Sequence, residues 1–163
     1  MAFVVVKLKI IAVGGIKESY YNEALDEYIK RLRAFCAPEV SVVKEARLDP
    51  SPSAGEISAA LASEGEKILS LIPPRSFVCV LTPEGRMMTS EEFASVIETA
   101  SDRCSTLVFI TGSSYGLAPE VKSRADLLMS FSKLTFPHRL FRVMLAEALY
   151  RSFAINSGRE YHK

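Results

Sequence analysis

The chain has 163 residues, of which 48% are hydrophobic and 24% are charged, and its formal net charge is +1. This length fits about one domain, and the composition is that of an ordinary globular protein, which excludes a disordered tail or a fibrous protein. The chain contains three widely spaced cysteines and two histidines, so we expect buried, reduced thiols and neither a disulfide framework nor a structural metal site.

The first apolar segment of the chain covers residues 3–13. Lys7 and Lys9 interrupt it and no small-residue cleavage pattern follows it. It is also too short to span a membrane. We therefore predict no signal peptide and no membrane segment here, and we interpret residues 8–13 as a buried first strand.

Strand-like and helix-like segments alternate through the middle of the chain. They predict, in chain order, a helix over residues 20–35, a strand over 40–43, a helix over 54–71, a strand over 77–81, a helix after the capping box 89–92 and a strand over 106–110. The proline- and serine-rich residues 49–53 indicate an exposed loop. Strands joined by helices imply parallel crossover connections. We therefore predict an α/β fold, with a parallel sheet covered by helices on both faces.

The last third of the chain carries a glycine-containing loop and a long amphipathic helix. The pattern predicts a loop over residues 112–116, a short helix from Pro119, a strand over 127–129, a loop reaching Pro137 and a helix over 139–155. From Lys133 onward the chain has six lysines and arginines against two acidic residues. This excess suggests an anionic partner, although a solvated basic helix face is the commoner explanation. The wide apolar stripe of the last helix can serve both the core and a dimer contact.

Three segments lie where ligands bind in open α/β sheets, at the carboxyl ends of the predicted strands. They are residues 81–85, 111–116 and 131–138. Glycine lets the backbone turn sharply and approach a ligand closely, which is why glycine-containing loops recur at cofactor sites. A plain strand-to-helix turn explains Gly112 and Gly116 equally well.

Residues 112–116 also match the Gly-x-Ser-x-Gly turn that carries the nucleophile of serine hydrolases. Asp126 and His138 follow Ser114 in the order found in those enzymes. However, Pro119 delays the helix that should begin directly after the nucleophile, and the chain is short for that fold. A serine hydrolase is therefore kept as the alternative enzyme class.

Two positions near the C terminus carry groups that could act on a nucleic acid. His138 and Arg142 are four residues apart and share one helix face, although a polar histidine at a helix start and a surface arginine are the simpler explanations. The terminal Tyr161-His162-Lys163 combines a ring that can stack on a base, an imidazole that titrates near neutral pH and a cation. Most chain ends, in contrast, are frayed and idle.

Taken together, these segments resemble the SPOUT-class methyltransferases, and specifically the RlmH family, which methylates N3 of a pseudouridine in bacterial large-subunit ribosomal RNA. The resemblance is carried by residues 9–14, 130–138, 142–143, 147–151 and 161–163. It covers residues 9–163 in order and without large gaps. Residues 1–8 look like an N-terminal extension of a single domain that spans residues 1–163.

The resemblance implies more than periodicity can show. The implied fold is a parallel-sheet SPOUT fold with a trefoil knot in its C-terminal part. The implied cofactor is S-adenosylmethionine, bound in the knot of a homodimer in which the partner's surface completes the RNA site. The implied substrate is large-subunit ribosomal RNA, within the assembled ribosome, in the cytoplasm. No metal and no membrane partner is implied.

The resemblance also assigns site residues. The implied cofactor contacts are Leu81, Gly112, Gly116, Phe131, Ser132, Lys133, Leu134, Thr135 and Phe136. His162, supported by Tyr161, is the predicted group that orients or deprotonates the target nitrogen, and His138 is the second choice. Arg142 and Lys163 are predicted to hold phosphate or to polarise a carbonyl.

One residue departs from the family pattern. Ser113 follows Gly112 where the family commonly has a second glycine, so the close approach that this glycine permits is in question. A third interpretation also stays open, namely a non-catalytic RNA-binding module of the assembling ribosome. Such a module would bind RNA without binding S-adenosylmethionine.

Overall fold

The computed structural model describes residues 5–159. Strands and helices alternate along this part of the chain. In chain order the elements are β1 (Lys7–Val13), α1 (Ser19–Leu32), β2 (Ala37–Val43), α2 (Ala54–Ser70), β3 (Ser76–Arg86), α3 (Ser90–Arg103), β4 (Thr106–Thr111), α4 (Pro119–Arg124), β5 (Leu127–Met129) and α5 (His138–Asn156). No helix within residues 5–159 is long and apolar enough to cross a membrane.

The five strands form one sheet in the order β2-β1-β4-β3-β5, and every neighbouring pair is parallel. The predicted α/β architecture is therefore confirmed. Because all the strands run the same way, their carboxyl ends meet at one edge of the sheet. The loops that follow β3, β4 and β5 therefore lie side by side there.

Each face of the sheet packs against its own set of helices. Leu32, Ile97 and Leu145 belong to the core that α1, α3 and α5 form on one face. Ile68 and Val121 belong to the core that α2 and α4 form on the other face. β4 lies in the middle of the sheet and is buried along its whole length, which is why its sequence is continuously apolar rather than alternating.

The element boundaries differ from the sequence prediction where tertiary pairing decides them. β2 begins at Ala37 rather than Val40, because it pairs with β1 from Lys7 onward. Pro38 is tolerated because β2 is an edge strand. The helix predicted to reach Phe35 ends at Leu32. The last helix begins one residue earlier than predicted, at His138.

Two capping boxes begin helices on the two faces of the sheet. The predicted box at the start of α3 is confirmed, since Thr89 Oγ1 accepts from Glu92 N at 3.1 Å and Glu92 Oε2 accepts from Thr89 N at 2.7 Å. The same reciprocal pattern joins Ser53 and Glu56 at the start of α2. Each box satisfies backbone amides that a helix leaves unpaired at its first turn.

The three cysteines are free thiols. Cys36 and Cys79 are buried, and burial raises the pKa of each thiol to about 12. Cys104 is only partly buried. The prediction of buried thiols is thus confirmed for Cys36 and Cys79.

Candidate active site at the carboxyl edge of the sheet

A bulge near the carboxyl end of β3 and the loops that follow β4 and β5 enclose a cavity of about 770 Å³. This volume lies within the range of about 300–1,000 Å³ that is typical of small-molecule sites. The cavity is lined by residues 81–84, 111–117, 122, 129–138 and 141. These are the three segments that the sequence placed at the carboxyl ends of the strands, together with side chains from α4 and α5.

The first wall is a bulge in β3. Leu81 and Arg86 of β3 both pair with Met129 of β5, so residues 82–85 bulge out of the sheet between them. A Cβ at Gly85 would lie 2.5 Å from Met129 N and 2.7 Å from Leu128 C. Only glycine fits at this position, which keeps the bulge pressed against β5.

The second wall is the tight turn after β4. Ser113 and Gly116 form an isolated bridge, Gly116 N donates to Ser113 O at 3.0 Å, and Gly116 has φ +92°. A Cβ at Gly112 would lie 2.8 Å from both Gly116 C and Leu117 Cγ, and still closer to Gly116 O. The backbone therefore folds back over Gly112. Ser113 Oγ accepts from Tyr115 N at 3.3 Å, so this serine ties the turn together.

The third wall is the segment that joins β5 to α5. Ser130 Oγ donates to Ser132 O at 3.0 Å, and Ser132 Oγ accepts from Leu134 N at 3.0 Å. The rings of Phe131 and Phe136 pack against Phe141 of α5, with centroid separations of 4.9 and 6.5 Å. Hydrogen bonds of the serine hydroxyls and packing of the aromatic rings thus fix the conformation of a segment that has no regular secondary structure.

An ion pair joins two elements that line the cavity. Lys122 Nζ of α4 lies 2.5 Å from Glu84 Oε1 in the bulge of β3. The hydrogen bond from Lys122, followed by one from Thr82, lowers the pKa of Glu84 to about 2. Glu84 is therefore a carboxylate across the physiological pH range, and its oxygens have further lone pairs that can accept hydrogen bonds from a ligand.

Arg142 lies near the carboxyl end of β1 and is only 2% exposed. Its Nη2 donates to Val13 O and Gly14 O, both at 2.5 Å. Burial, followed by repulsion from Arg139, lowers its pKa. The simpler explanation given above, a surface arginine, is wrong, because the side chain crosses from α5 to cap the carbonyls that β1 leaves unpaired at its end.

Several buried polar atoms within residues 5–159 have no hydrogen-bond partner there, and two of them bear on the cavity and on Arg142. These two are Thr111 Oγ1, in a residue that lines the cavity, and Arg142 Nε. Buried polar groups are normally paired, and an exception calls for an explanation such as a ligand or a water molecule. The Thr111 hydroxyl therefore suits a polar group bound in the cavity.

His138 lines the cavity at the first turn of α5. Desolvation by burial, followed by the nearby positive charge of Arg142, lowers the pKa of its imidazole below the ordinary value. The side chain is therefore neutral at neutral pH. A neutral imidazole can accept a proton or a hydrogen bond from a group bound in the cavity.

This lowered pKa predicts a specific pH dependence of stability. His138 takes up a proton less readily in the folded protein than in the unfolded chain. Protonation of His138 therefore destabilises the folded state as the pH falls below about 6.5, and His138 has no such effect at higher pH. When the pH is lowered from about 7.5 to about 5.5, we expect the free energy of unfolding to fall less in His138→Gln than in the wild-type protein. Urea unfolding of both proteins at the two pH values measures this, and identical pH dependence would contradict it.

The structure brings most of the predicted site residues together. All nine predicted cofactor contacts and His138 line the one cavity. Arg142 is not among the lining residues. The predicted residues Tyr161, His162 and Lys163 lie outside the residues that the structure describes.

Sequence reasoning missed several residues that line the cavity. Lys122 and Phe141 come from helices, and Tyr115 was seen only as part of a turn. No local signal links Glu84 to Lys122, because they are separated by 38 positions. The predicted ligand-binding segment 81–85 was the one indication in the sequence that β3 contributes residues to the site beyond the end of its predicted strand.

The serine hydrolase alternative fails on geometry. Asp126 Oδ2 accepts from Val78 N at 2.8 Å, immediately before β5 begins and near the amino end of β3. Ser114 and His138 lie at the opposite, carboxyl edge of the sheet. Asp126 therefore cannot orient His138, and the three residues form no catalytic triad.

Within residues 5–159, no group of three or more His, Cys, Asp or Glu side chains is placed to hold a metal ion.

Comparison with known proteins identifies the family. The sequence pattern of the family described as predicted SPOUT methyltransferase matches residues 6–162. The chain is 46% identical over 158 residues to the ribosomal RNA large subunit methyltransferase H of Streptococcus gordonii, which covers 96% of this chain and 99% of that relative. It is 43% identical over 157 residues to the protein of the same name from Oenococcus oeni, covering 96% and 98% of the two chains.

A solved structure supports the fold. The structure of a probable methylase family protein from Haemophilus influenzae Rd KW20 superposes with a TM-score of 0.52 at 10% identity, over 99% of this chain and 72% of that one. At this low identity the likeness concerns the fold alone. The match over nearly the full length and the identity to the curated relatives show that this chain belongs to the SPOUT methyltransferases, within the family of the ribosomal RNA large subunit methyltransferase H proteins.

Proposed function

We propose that this protein transfers the methyl group of S-adenosylmethionine to N3 of a pseudouridine in 23S ribosomal RNA within the assembled ribosome. The observation that carries this proposal is that all nine predicted cofactor contacts line a single cavity. That cavity lies at the carboxyl edge of a parallel sheet, where α/β folds bind their ligands. The names of the curated relatives supply the substrate class.

The residues of the cavity fit an adenosyl thioether. Gly112 lines the cavity and leaves no room for a Cβ against Gly116, so the turn after β4 forms a closely packed backbone wall. Leu81 and Phe131 offer apolar surface to a purine ring, and the Glu84 carboxylate can accept hydrogen bonds from ribose hydroxyls. The unpaired Thr111 hydroxyl suits a polar group of the ligand.

The chemistry divides between the cofactor and the protein. When bound, S-adenosylmethionine supplies an electrophilic methyl group on a sulfonium. The protein contributes alignment of the two reactants, which lowers the barrier by removing translational and rotational freedom. It also provides for loss of the proton on the acceptor nitrogen.

Three groups are proposed for that proton and for the orientation of the base. His138 is neutral and lines the cavity, so its imidazole can accept a proton there. His162, with Tyr161, remains the first choice by family resemblance. These two residues and Lys163, proposed to contact the RNA, lie beyond the described part of the chain. A contact between Arg142 and RNA would require that side chain to leave the carbonyls of Val13 and Gly14.

The wider biology of the protein is part of the proposal. Family membership implies a trefoil knot in the C-terminal part and a cytoplasmic, single-domain enzyme. It also implies a homodimer. A second cavity of about 600 Å³ between α1, α3 and α5, lined partly by Tyr28, Met88 and Met144, gives a second copy apolar surface to cover. Light scattering of the purified protein tests the dimer.

The function is tested in two steps. Calorimetry should show binding of S-adenosylhomocysteine, which neither a hydrolase nor a simple RNA-binding module would bind. Ribosomes from cells that lack the protein should then gain one methylated pseudouridine when incubated with the protein and S-adenosylmethionine, as read by mass spectrometry of the RNA. RNA binding without cofactor binding would identify the non-catalytic module instead.

A further inference from the structure

Two large apolar side chains that line the cavity are exposed to water. Tyr115 in the turn after β4 is 46% exposed, and Leu134 in the segment before α5 is 73% exposed. Leu134 is the most exposed of the large hydrophobic residues within 5–159. A single exposed apolar side chain needs no explanation, but two at one cavity suggest a ligand that covers both.

Both side chains are held on well-fixed backbone. Tyr115 N donates to Ser113 Oγ, inside a turn closed by the bond from Gly116 N to Ser113 O. Leu134 N donates to Ser132 Oγ, whose own carbonyl accepts from Ser130 Oγ. These bonds reduce the entropy lost when a ligand is gripped between the two side chains.

The exposed side chains differ from the inner surface of the cavity. Leu81 and Met129 also line it, but they are buried in the core beneath the sheet edge. An adenosyl group placed against the inner residues would leave the outer, exposed side chains for a second reactant. The backbone of Leu134 can still contact the cofactor, as the resemblance implies, while its side chain faces that second reactant.

We propose that Tyr115 and Leu134 form a clamp that stacks on the target nucleobase and holds it over the methyl donor. This inference rests on the proposed function and names the residues that receive the base. N3 lies on the edge of the base that pairs with another base, so a base that reacts there must be unpaired and accessible to the enzyme. Proteins hold unstacked RNA bases against aromatic side chains. Neighbouring Lys133 is exposed and takes part in no ion pair within residues 5–159, so its ammonium is available to the adjacent phosphate.

Substitution of Tyr115 tests the clamp. Stacking of one base on an aromatic ring is worth roughly a 5- to 150-fold change in affinity. We therefore expect Tyr115→Ala to lower kcat/KM for unmodified ribosomes by about tenfold or more, while the Kd for S-adenosylhomocysteine stays unchanged. Tyr115→Phe should keep nearly full activity, because it retains the ring. Tyr20→Ala is the matched control, since Tyr20 is also an exposed tyrosine, with 62% of its surface accessible, but does not line the cavity.

Three results would overturn the clamp. Equal kcat/KM for Tyr115→Ala and wild type would show that the ring does not touch the base. Loss of S-adenosylhomocysteine affinity in parallel with turnover would assign Tyr115 to the cofactor. Loss of activity in Tyr115→Phe would assign the role to the hydroxyl rather than to stacking. If the wild-type protein itself transfers no methyl group to ribosomes, the proposed function fails. If the wild type is active and Tyr115→Ala is equally active, only the clamp fails.

Discussion

Gly112→Ala is expected to weaken S-adenosylhomocysteine binding by up to about 150-fold, because the added Cβ would collide with backbone. It would lie 2.8 Å from Gly116 C and from Leu117 Cγ. Backbone atoms cannot yield as the end of a flexible side chain can, so the turn after β4 must open. Overpacking of this kind costs up to about 3 kcal/mol, which corresponds to the stated change in affinity.

Gly15→Ala is the matched control for this experiment. Gly15 follows β1, and a Cβ built there meets nothing within 4 Å. Calorimetric titration of both variants, with urea unfolding to confirm that both remain folded, separates local closure of the site from general damage. Unchanged affinity in Gly112→Ala would show that the turn lies outside the cofactor site.

Arg142→Ala is expected to lower the free energy of unfolding by about 3 to 5 kcal/mol. The substitution empties the space that the long side chain fills on the buried face of α5. It also leaves the carbonyls of Val13 and Gly14 without their donor. An unpaired buried acceptor costs about 1–3 kcal/mol by itself. Urea unfolding monitored by circular dichroism measures the sum.

Two further variants separate the contributions at this position. Arg142→Met keeps most of the side-chain volume. Its loss of unfolding free energy therefore measures the cost of the unpaired carbonyls, reduced by the energy that is no longer spent on burying the guanidinium charge. Arg86→Ala is the exposed control, since Arg86 faces Glu92 at 3.8 Å and is 66% exposed, and exposed ion pairs contribute about 0–1 kcal/mol. A loss below about 1 kcal/mol in Arg142→Ala would contradict the buried bridging role.

Arg142 also connects stability to the site. It lies one helical turn after His138, and its charge contributes to the lowered pKa of that imidazole. The same side chain bonds to the end of β1. A single buried cation thus fixes the start of α5 against the sheet and favours the neutral form of the histidine that lines the cavity.

The sequence by itself determined the alternation of strands and helices and the class of the fold. The apolar run 106–110 is continuous because the central strand is covered on both faces, so its pattern is a local record of burial. The capping box at the start of α3 could also be predicted from the sequence, because its two partners, Thr89 and Glu92, lie within one helical turn. The resemblance in residues 130–138 predicts cofactor contacts on a segment that has no periodicity of its own.

Only the tertiary structure decided which distant groups meet. It joined Glu84 to Lys122, enclosed Arg142 at the end of β1 and put Asp126 at the far edge of the sheet from His138. Such contacts depend on strand order and on which face each helix covers, and neither is encoded in the spacing of nearby residues. The exposure of Tyr115 is of the same kind, because it arises from the way the turn folds back over Gly112.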